Sequence, residues 1–408
     1  MTGTDSTEGA DRWLLPLGVE DLLPDEAREL DRLQRVVTDL FERWGYDLVI
    51  PPYLDYLDSL LTGTSRDLDI QTFKLIDQSS GRLLGLRADM TPQVARIDAH
   101  HMRETSTPVR LCYVGPVFRA LAGRYGTSRT PQQAGAEIYG HRGAASDAEV
   151  LALLVETVRA ARLDEVHLDI GHVGVFKGLI EAGGVPASLE SQLFEALQRK
   201  ATSELQTLVA DLPTELGQAF ITLAGLNGGA DVLEEAQRLL PQHPQIEAAI
   251  AELRSLWAML ESREVPGAIQ FDLAELRGYR YHAGIVFAAF VPGHGQEVAR
   301  GGRYDEIGEA FGRSRPATGF STDLRLLAML NRTRRAPGVP RGIFAPYDER
   351  DAEGAPRQVR IRELRAAGER VVEGFPGEAF SPAQFGCDRQ LICRNGEWRL
   401  EPTSDGDK

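Results

Sequence analysis

Gln133, Glu137 and Arg119 are the residues of this chain whose types and spacing best suit the holding of a small zwitterion. They lie in CYVGPVFRALAGRYGTSRTPQQAGAEIYG, residues 112–140, where two alternating apolar-rich stretches flank a Gly/Ser/Thr/Arg loop. That pattern reads as a long β-hairpin. Side chains on a strand repeat every second residue, so Gln133, Gly135, Glu137 and Tyr139 share one face of the returning strand, and Val117 and Arg119 share one face of the outgoing strand. Gly135 leaves room between two polar groups. A guanidinium suits a carboxylate, and a carboxylate beside an amide suits an ammonium or an imidazole N–H. The same residues also fit a solvated sheet face carrying ordinary ion pairs, and spacing alone does not choose between the two.

The elements that must position this hairpin are mixed, and the layout is α+β. A helix is expected from near Asp25, with Leu30, Leu33, Val36, Val37, Leu40, Phe41 and Trp44 forming an apolar stripe that stops at Gly45. Tyr46–Ile50 reads as a strand ended by Pro51-Pro52. Two strands around Gly81, the hairpin, and strands near 266–272, 280–291 and 296–301 complete a largely antiparallel sheet, with helices near 91–102, 147–162 and 322–331. From about 172 to 262 the pattern turns helical, broken at Gly183-Gly184, Pro213, Gly228-Gly229 and Pro244. This stretch suits a lid, a partner-docking surface or a helical cover for one side of the site. The run NRTRRAPGVPRG marks a boundary, beyond which GIFAPY, a helix about 356–367, GERVVEGF and the pair RQLICRN/EWRLEP make a small α/β unit.

At 408 residues and 42% hydrophobic, the chain can bury one large core and a second small one. Its net charge of −15 is the opposite of the basic footprint that phosphate neutralisation demands of nucleic-acid binders. Cys112, Cys387 and Cys393 are too few and too scattered for a disulfide framework, and none pairs with histidine at metal spacing. The first eleven residues are polar and acidic, and no apolar run approaches the ~18 residues of a membrane span. A cytoplasmic protein with no membrane partner is expected.

Six segments, in order, resemble the core of class II histidyl-tRNA synthetases over about residues 12–330. LPLGVEDLLPDEAREL looks like the start of that core, and FERWGYDLVIPP looks like motif 1, which builds the family's dimer interface. The hairpin is similar to motif 2. LRADMT stands at the amino-acid-binding Arg-Pro-Glu-Gly-Thr, LRGYRYHAGIVF at the histidine-specific segment, and GGRYDEIGEAFGRSRPATGFSTDLRLL at motif 3. The resemblance implies an antiparallel class II sheet flanked by helices. The core occupies 12–171 and 263–331, the helical insertion 172–262, and the small C-terminal α/β domain 341–401. Asp89, Thr91, Arg119, Gln133, Glu137, Arg277 and Tyr281 all have counterparts in the family's histidine site. Arg280 and His282 stand where the synthetase has Asp and Tyr.

The nucleotide end departs from that pattern. Arg119 is kept, but the acidic residue two positions on is Leu121, the adenine-stacking Phe is Pro131, and Gly-Leu-Glu-Arg-Leu of motif 3 has become Asp323-Leu324-Arg325-Leu326-Leu327. An arginine moved one place along a helix turns away by about 100°. The stretch after motif 3, about 70 residues, is also shorter than a synthetase's anticodon-binding domain.

With these departures, LDSLLTGTSRDLDIQTFKLIDQSSGRLLGLRADMTPQVARIDAH, LCYVGPVFR, GAEIYGH and RGYRYHAGIVFAAFVPG resemble the regulatory subunits of ATP phosphoribosyltransferase more closely than any synthetase. Within SRTPQQ, Thr130 and Gln132 depart from the acidic and apolar residues expected there. The resemblance implies a subunit with no catalytic residue, cofactor or metal, which activates the short-form ATP phosphoribosyltransferase catalytic subunit. It would form a homodimer within a hetero-oligomer and mediate feedback inhibition by the effector L-histidine. The alternative is a divergent histidyl-tRNA synthetase or stand-alone amino-acid-adenylating ligase with a rebuilt nucleotide grip. Losing an adenine stack worth ~1–3 kcal/mol and a fixed guanidinium worth roughly 1.5–3 kcal/mol leaves little differential binding for an adenylation transition state. The purified chain should therefore catalyse no ATP–pyrophosphate exchange with histidine, and exchange above a heat-killed control would restore the enzyme reading.

Overall fold

Alternation along the strands decides which side of the sheet becomes core. Cys112, Ala134, Ala136, Ile138, Leu168, Ile170 and Phe320 point to one side and join a single buried cluster with Leu33, Val37 and Phe41. The other side carries Gln133, Gly135 and Glu137 opposite Asp323, Ser321 and Gly319. In the computed structural model, residues 14–62, 66–121, 128–279, 282–305, 308–334, 342–349, 355–377 and 380–403 are described.

The chain begins α1 (Pro24–Arg43), β1 (Asp47–Leu48), β2 (Leu54–Tyr56), α2 (Leu57–Leu61), α3 (Arg66–Gln71), β3 (Phe73–Ile76), β4 (Leu83–Leu86) and α4 (Thr91–His101). It continues β5 (Val109–Pro116), β6 (Gln132–Tyr139), α5 (Ala144–Ala160), β7 (His167–His172), α6 (Val173–Gly183), α7 (Ala187–Gln198), α8 (Thr202–Leu208) and α9 (Thr214–Gly225). Then come β8 (Asn227–Gly228), α10 (Asp231–Leu239), α11 (Pro244–Ser262), β9 (Ala268–Asp272), β10 (Ile285–Phe290), β11 (Ala299–Arg303), β12 (Ala317–Asp323) and α12 (Leu324–Arg334). The last elements are β13 (Ile343–Ala345), α13 (Pro356–Ala366), β14 (Val371–Glu373), β15 (Arg389–Arg394) and β16 (Glu397–Pro402).

Among the described residues a nine-stranded sheet runs β1-β5-β6-β12-β11-β10-β7-β9-β8, with β2-β4-β3 as a smaller sheet. Among the described ladders of the large sheet only β1/β5 and β7/β9 pair in parallel, and the rest are antiparallel. The stripe on α1 buries Leu33, Val37, Leu40 and Phe41, and Phe41 meets Phe320 edge to face at 6.1 Å. Val36, counted in that stripe, is exposed. The expected strand Tyr46–Ile50 is only two residues long, and the strand expected from residue 280 begins at Ile285. Gly278, at φ +67°, turns the chain before it, and the His282 N–H donates to the Gly278 carbonyl at 2.8 Å. β7 and β12 were not anticipated from the sequence.

The helices between β7 and β9 pack against the apolar side of the sheet. Ile250, Leu253, Leu256 and Leu260 of α11 share the large cluster with Val155, Val158 and Phe176. A left-handed Gly184 ends α6, as the Gly-Gly pair suggests. Contacts divide the chain into Met1–Asn331 and Arg332–Lys408. The second unit is a four-stranded sheet, β14-β13-β15-β16, with its own core of Ile343, Ala345, Ile361, Leu364, Val371 and Leu391.

Arg303 at the end of β11 ties the large sheet to α5. Its guanidinium donates to both oxygens of Asp147 at 2.9 Å and to the carbonyls of His141 and Gly143. Both side chains are almost wholly enclosed, 5% and 1% exposed. Removing Asp147 leaves the enclosed guanidinium with Asp305, at 3.3 Å, as its remaining carboxylate partner among the described residues, at a cost of up to about 3–5 kcal/mol. Asp147→Ala should lose that much in urea unfolding, and a loss below ~1 kcal/mol would show that the pair does not anchor the sheet.

Candidate functional site

Asp89, Thr91, Gln133 and Glu137 meet in one hydrogen-bonded network. Arg87 sets the approach: fully buried, it donates to the carbonyls of Pro51 at 2.6 Å and Pro116 at 2.9 Å, fixing the segment that leads into α4. Pro92 suits the first turn of that helix. The Thr91 N–H then donates to Asp89 Oδ1 at 3.0 Å. Gln133 reaches across from β6; its amide N–H donates to the same oxygen at 2.9 Å and its carbonyl accepts from the Met90 N–H at 2.9 Å. These two contacts fix which way the amide faces.

Glu137 is 1% exposed. One oxygen accepts from the Tyr113 hydroxyl at 2.9 Å and the Thr91 hydroxyl at 3.3 Å; the other accepts from Tyr304. A Cβ on Gly319, its partner across β12, would overlap the carboxylate, and a Cβ on Gly135 would overlap the Tyr113 ring. The room that Gly135 leaves is therefore filled by a phenol. Burial pushes the Glu137 pKa up to about 8; hydrogen bonds from Tyr304 and Tyr113 pull it down and the Asp89 charge raises it.

The two arginines stand outside this network. Arg119 extends the face of Tyr113 and Gly115 beyond β5, its backbone pairing with Arg129 at 2.8 Å. Burial, then Arg300, lowers its pKa, while Asp89 and Asp323 raise it. Arg277, in the turn after β9, is 3.7 Å from Glu275 and 3.6 Å from Glu297, with its guanidinium over the Phe290 ring. Tyr281 and Arg280 lie outside the described residues. His282 is described: its Nδ1–H donates to the Arg303 carbonyl at 3.2 Å, and burial pushes its pKa down to about 4, so the ring is neutral near pH 7. Tyr279 and His282 are both held to the helices after β7. The Tyr279 hydroxyl donates to Glu190 of α7 at 2.6 Å, and Lys177 of α6 donates to the His282 carbonyl at 3.2 Å.

At the former nucleotide end Leu121 is 54% exposed, Pro131 is buried and Leu326 packs against the large core. Arg325 donates to the Thr130 hydroxyl at 3.0 Å and lies 3.5 Å from Glu20, so it is engaged away from Glu137. Asp323, half-buried and raised in pKa by its desolvation, accepts from the Gln132 and Arg325 N–H groups, each at 3.0 Å. Among the described residues no group of three His, Cys, Asp or Glu side chains could hold a metal ion.

Tyr113 and Tyr304 were missed from the sequence. Continuing the alternation back from Arg119 and Val117 through Gly115 reaches Tyr113, so that signal was present. Tyr304 carried none, since it meets Glu137 only because the sheet order sets β12 and β11 beside β6.

A carboxyl whose folded pKa stands above its unfolded ~4.3 holds a proton that the unfolded chain has released, so folding stability declines as pH rises through that window. With Glu137 at about 8, Glu137→Gln should gain stability relative to the parent between pH 5 and pH 8.5. Urea unfolding at both pH values measures the difference, and a pH-independent difference would refute the titration.

The family model "Histidyl-tRNA synthetase" matches residues 18–327, and "ATP phosphoribosyltransferase subunit HisZ C-terminal domain" matches residues 340–401. An ATP phosphoribosyltransferase regulatory subunit of Pseudomonas aeruginosa is 50% identical over 394 residues, 96% of this chain and 98% of that protein. Its counterpart from Chromohalobacter salexigens is 48% identical over 398 residues, 96% and 99% of the two chains. A crystal structure described as an ATP phosphoribosyltransferase regulatory subunit/histidyl-tRNA synthetase from Bacillus halodurans superposes with a TM-score of 0.81 at 30% identity, covering 91% of this chain and 95% of that one. Histidyl-tRNA synthetase from Nostoc, 21% identical over 96% of this chain and 97% of its own, shares the fold with a TM-score of 0.78. A histidyl-tRNA-synthetase-like core followed by a C-terminal domain of the HisZ type, together with near-full-length relatives about half identical, places the chain in the family of non-catalytic ATP phosphoribosyltransferase regulatory subunits of histidine biosynthesis.

Proposed function

We propose that the chain activates the short-form catalytic subunit of ATP phosphoribosyltransferase and carries its feedback inhibition by L-histidine, with the synthetase-like pocket as the sensor. The observation that carries this reading is the contrast between the two ends of one site. Asp89, Thr91, Gln133 and Glu137 remain joined in a single network, whereas Leu121 faces solvent and Arg325 is tied to Thr130. In this reading the ammonium of histidine meets Asp89 and Gln133, its ring meets the Thr91 edge of the Glu137 network, and its carboxylate meets Arg119 and Arg277. Tyr281 completes the set.

The chain works as a homodimer within a hetero-oligomer. Leu48, Ile50, Tyr53 and Leu54 are all large and exposed around the two-residue edge strand β1, and such a patch calls for a partner surface; we assign a second copy. We assign no nucleic-acid partner. In the C-terminal unit Arg360, Arg365, Arg389, Arg394 and Arg399 are each ion-paired within it, to Glu363, Glu373, Glu369, Glu401 and Glu397, and the net charge is −15. No helix among the described residues is long and apolar enough to cross a membrane, and we assign a cytoplasmic location.

Histidine coupled to the partner subunit by ~1–3 kcal/mol should shift partner affinity and histidine affinity by the same factor. Asp89→Ala should still assemble with and activate the catalytic subunit while losing inhibition by millimolar histidine. Inhibition retained in that variant would move the sensor elsewhere.

A further inference from the structure

Two charged residues outside the set matched to the synthetase stand at the cationic end of the pocket. Arg300 lies in β11 opposite Ser321, which lies opposite Gly135, which lies opposite Tyr113. It therefore shares the site face. Glu297, just before β11, lies between two guanidiniums, 3.7 Å from Arg300 Nη1 and 3.6 Å from Arg277 Nη1. Charge-assisted hydrogen bonds are closer to 2.7–2.9 Å, so Glu297 neutralises both arginines without satisfying either. The Arg277 Nη1 atom is shielded from solvent and has no hydrogen-bond partner among the described residues. Arg119 makes no ion pair with any described side chain, and Arg300 raises the positive potential around it.

We propose that Arg300 and Glu297 determine how the pocket recognises an amino-acid carboxylate. Arg300 supplies a third guanidinium beside Arg119 and Arg277, and Glu297 is their tethered counter-ion, giving up its place when a ligand carboxylate arrives. The arriving group makes hydrogen bonds that Glu297 cannot reach, and the charge of the site is conserved in the exchange. A ligand with the same ring and ammonium but no carboxylate does not displace Glu297, so this device enforces a requirement for the α-carboxylate. The proposal rests on the reading that the pocket takes histidine.

Calorimetry on the full chain tests it, with L-histidine and L-histidinol as titrants, the second carrying a hydroxymethyl group in place of the carboxylate. Glu297→Gln removes the competing charge and should tighten histidine about tenfold at low salt, with histidinol affinity unchanged. Arg300→Gln should weaken histidine by about the same factor and again spare histidinol. Glu297→Ser, which shortens the side chain, should shift histidine in the same direction as Glu297→Gln and guards against a fold defect in one variant. If the parent chain binds histidine but all three variants bind it as the parent does, the proposal falls and the pocket reading stands. Equal shifts for histidine and histidinol would also overturn it, because the effect would not lie at the carboxylate. If the parent binds no histidine, the pocket reading itself fails.

Discussion

A carboxyl group enclosed in a β-sheet constrains everything near it, and Glu137 carries that group. Leaving it without donors would cost more than the sheet could offset, so Tyr113, Tyr304 and Thr91 converge on it from β5, the end of β11 and the start of α4. The glycines follow from the same demand. Gly319 has no side chain because the carboxylate lies over it, and Gly135 has none because Tyr113 does. One buried acid thus fixes the registry of three strands and the placement of the helix that presents Asp89 and Thr91.

The same scaffold serves a regulator once its other end is altered. Adenylation requires groups that bind the transition state better than the ground state, and those are the groups replaced here: Leu121 is turned to solvent, Pro131 is packed away, and Arg325 is committed to Thr130. Binding an amino acid requires only complementarity to its charges, and it is on the donors and acceptors around Asp89 and Gln133 that the proposed histidine site rests. The Arg303–Asp147 pair is a structural element of the same sheet, holding β11 against α5.

Tyr279 and His282 link the neighbourhood of the site to the helices after β7. On one side His282 lies against Gly302 in the floor; on the other, Tyr279 packs edge to face on Phe176 at 5.1 Å and is hydrogen-bonded to Glu190. The helices after β7 cover the apolar side of the sheet, and Glu190 and Lys177 hold Tyr279 and His282.

The sequence by itself determined the class of fold and most of the polar network. Alternation put Gln133 and Glu137 on one face, the apolar stripe defined α1, glycine and proline marked the helix ends, and the six ordered segments tied the chain to its family and to Asp89, Thr91 and Arg277. These are local signals, because strand and helix periods are properties of short stretches. What only the tertiary structure decided depends on which strands become neighbours. Tyr304 reaches Glu137 across 167 residues of chain, Arg303 reaches Asp147 across 156, and Glu297 meets Arg277 through a turn with no periodic pattern. No short-range rule encodes such contacts, since they arise when the hydrophobic sides of distant elements are buried together and the polar sides are brought into register as a consequence.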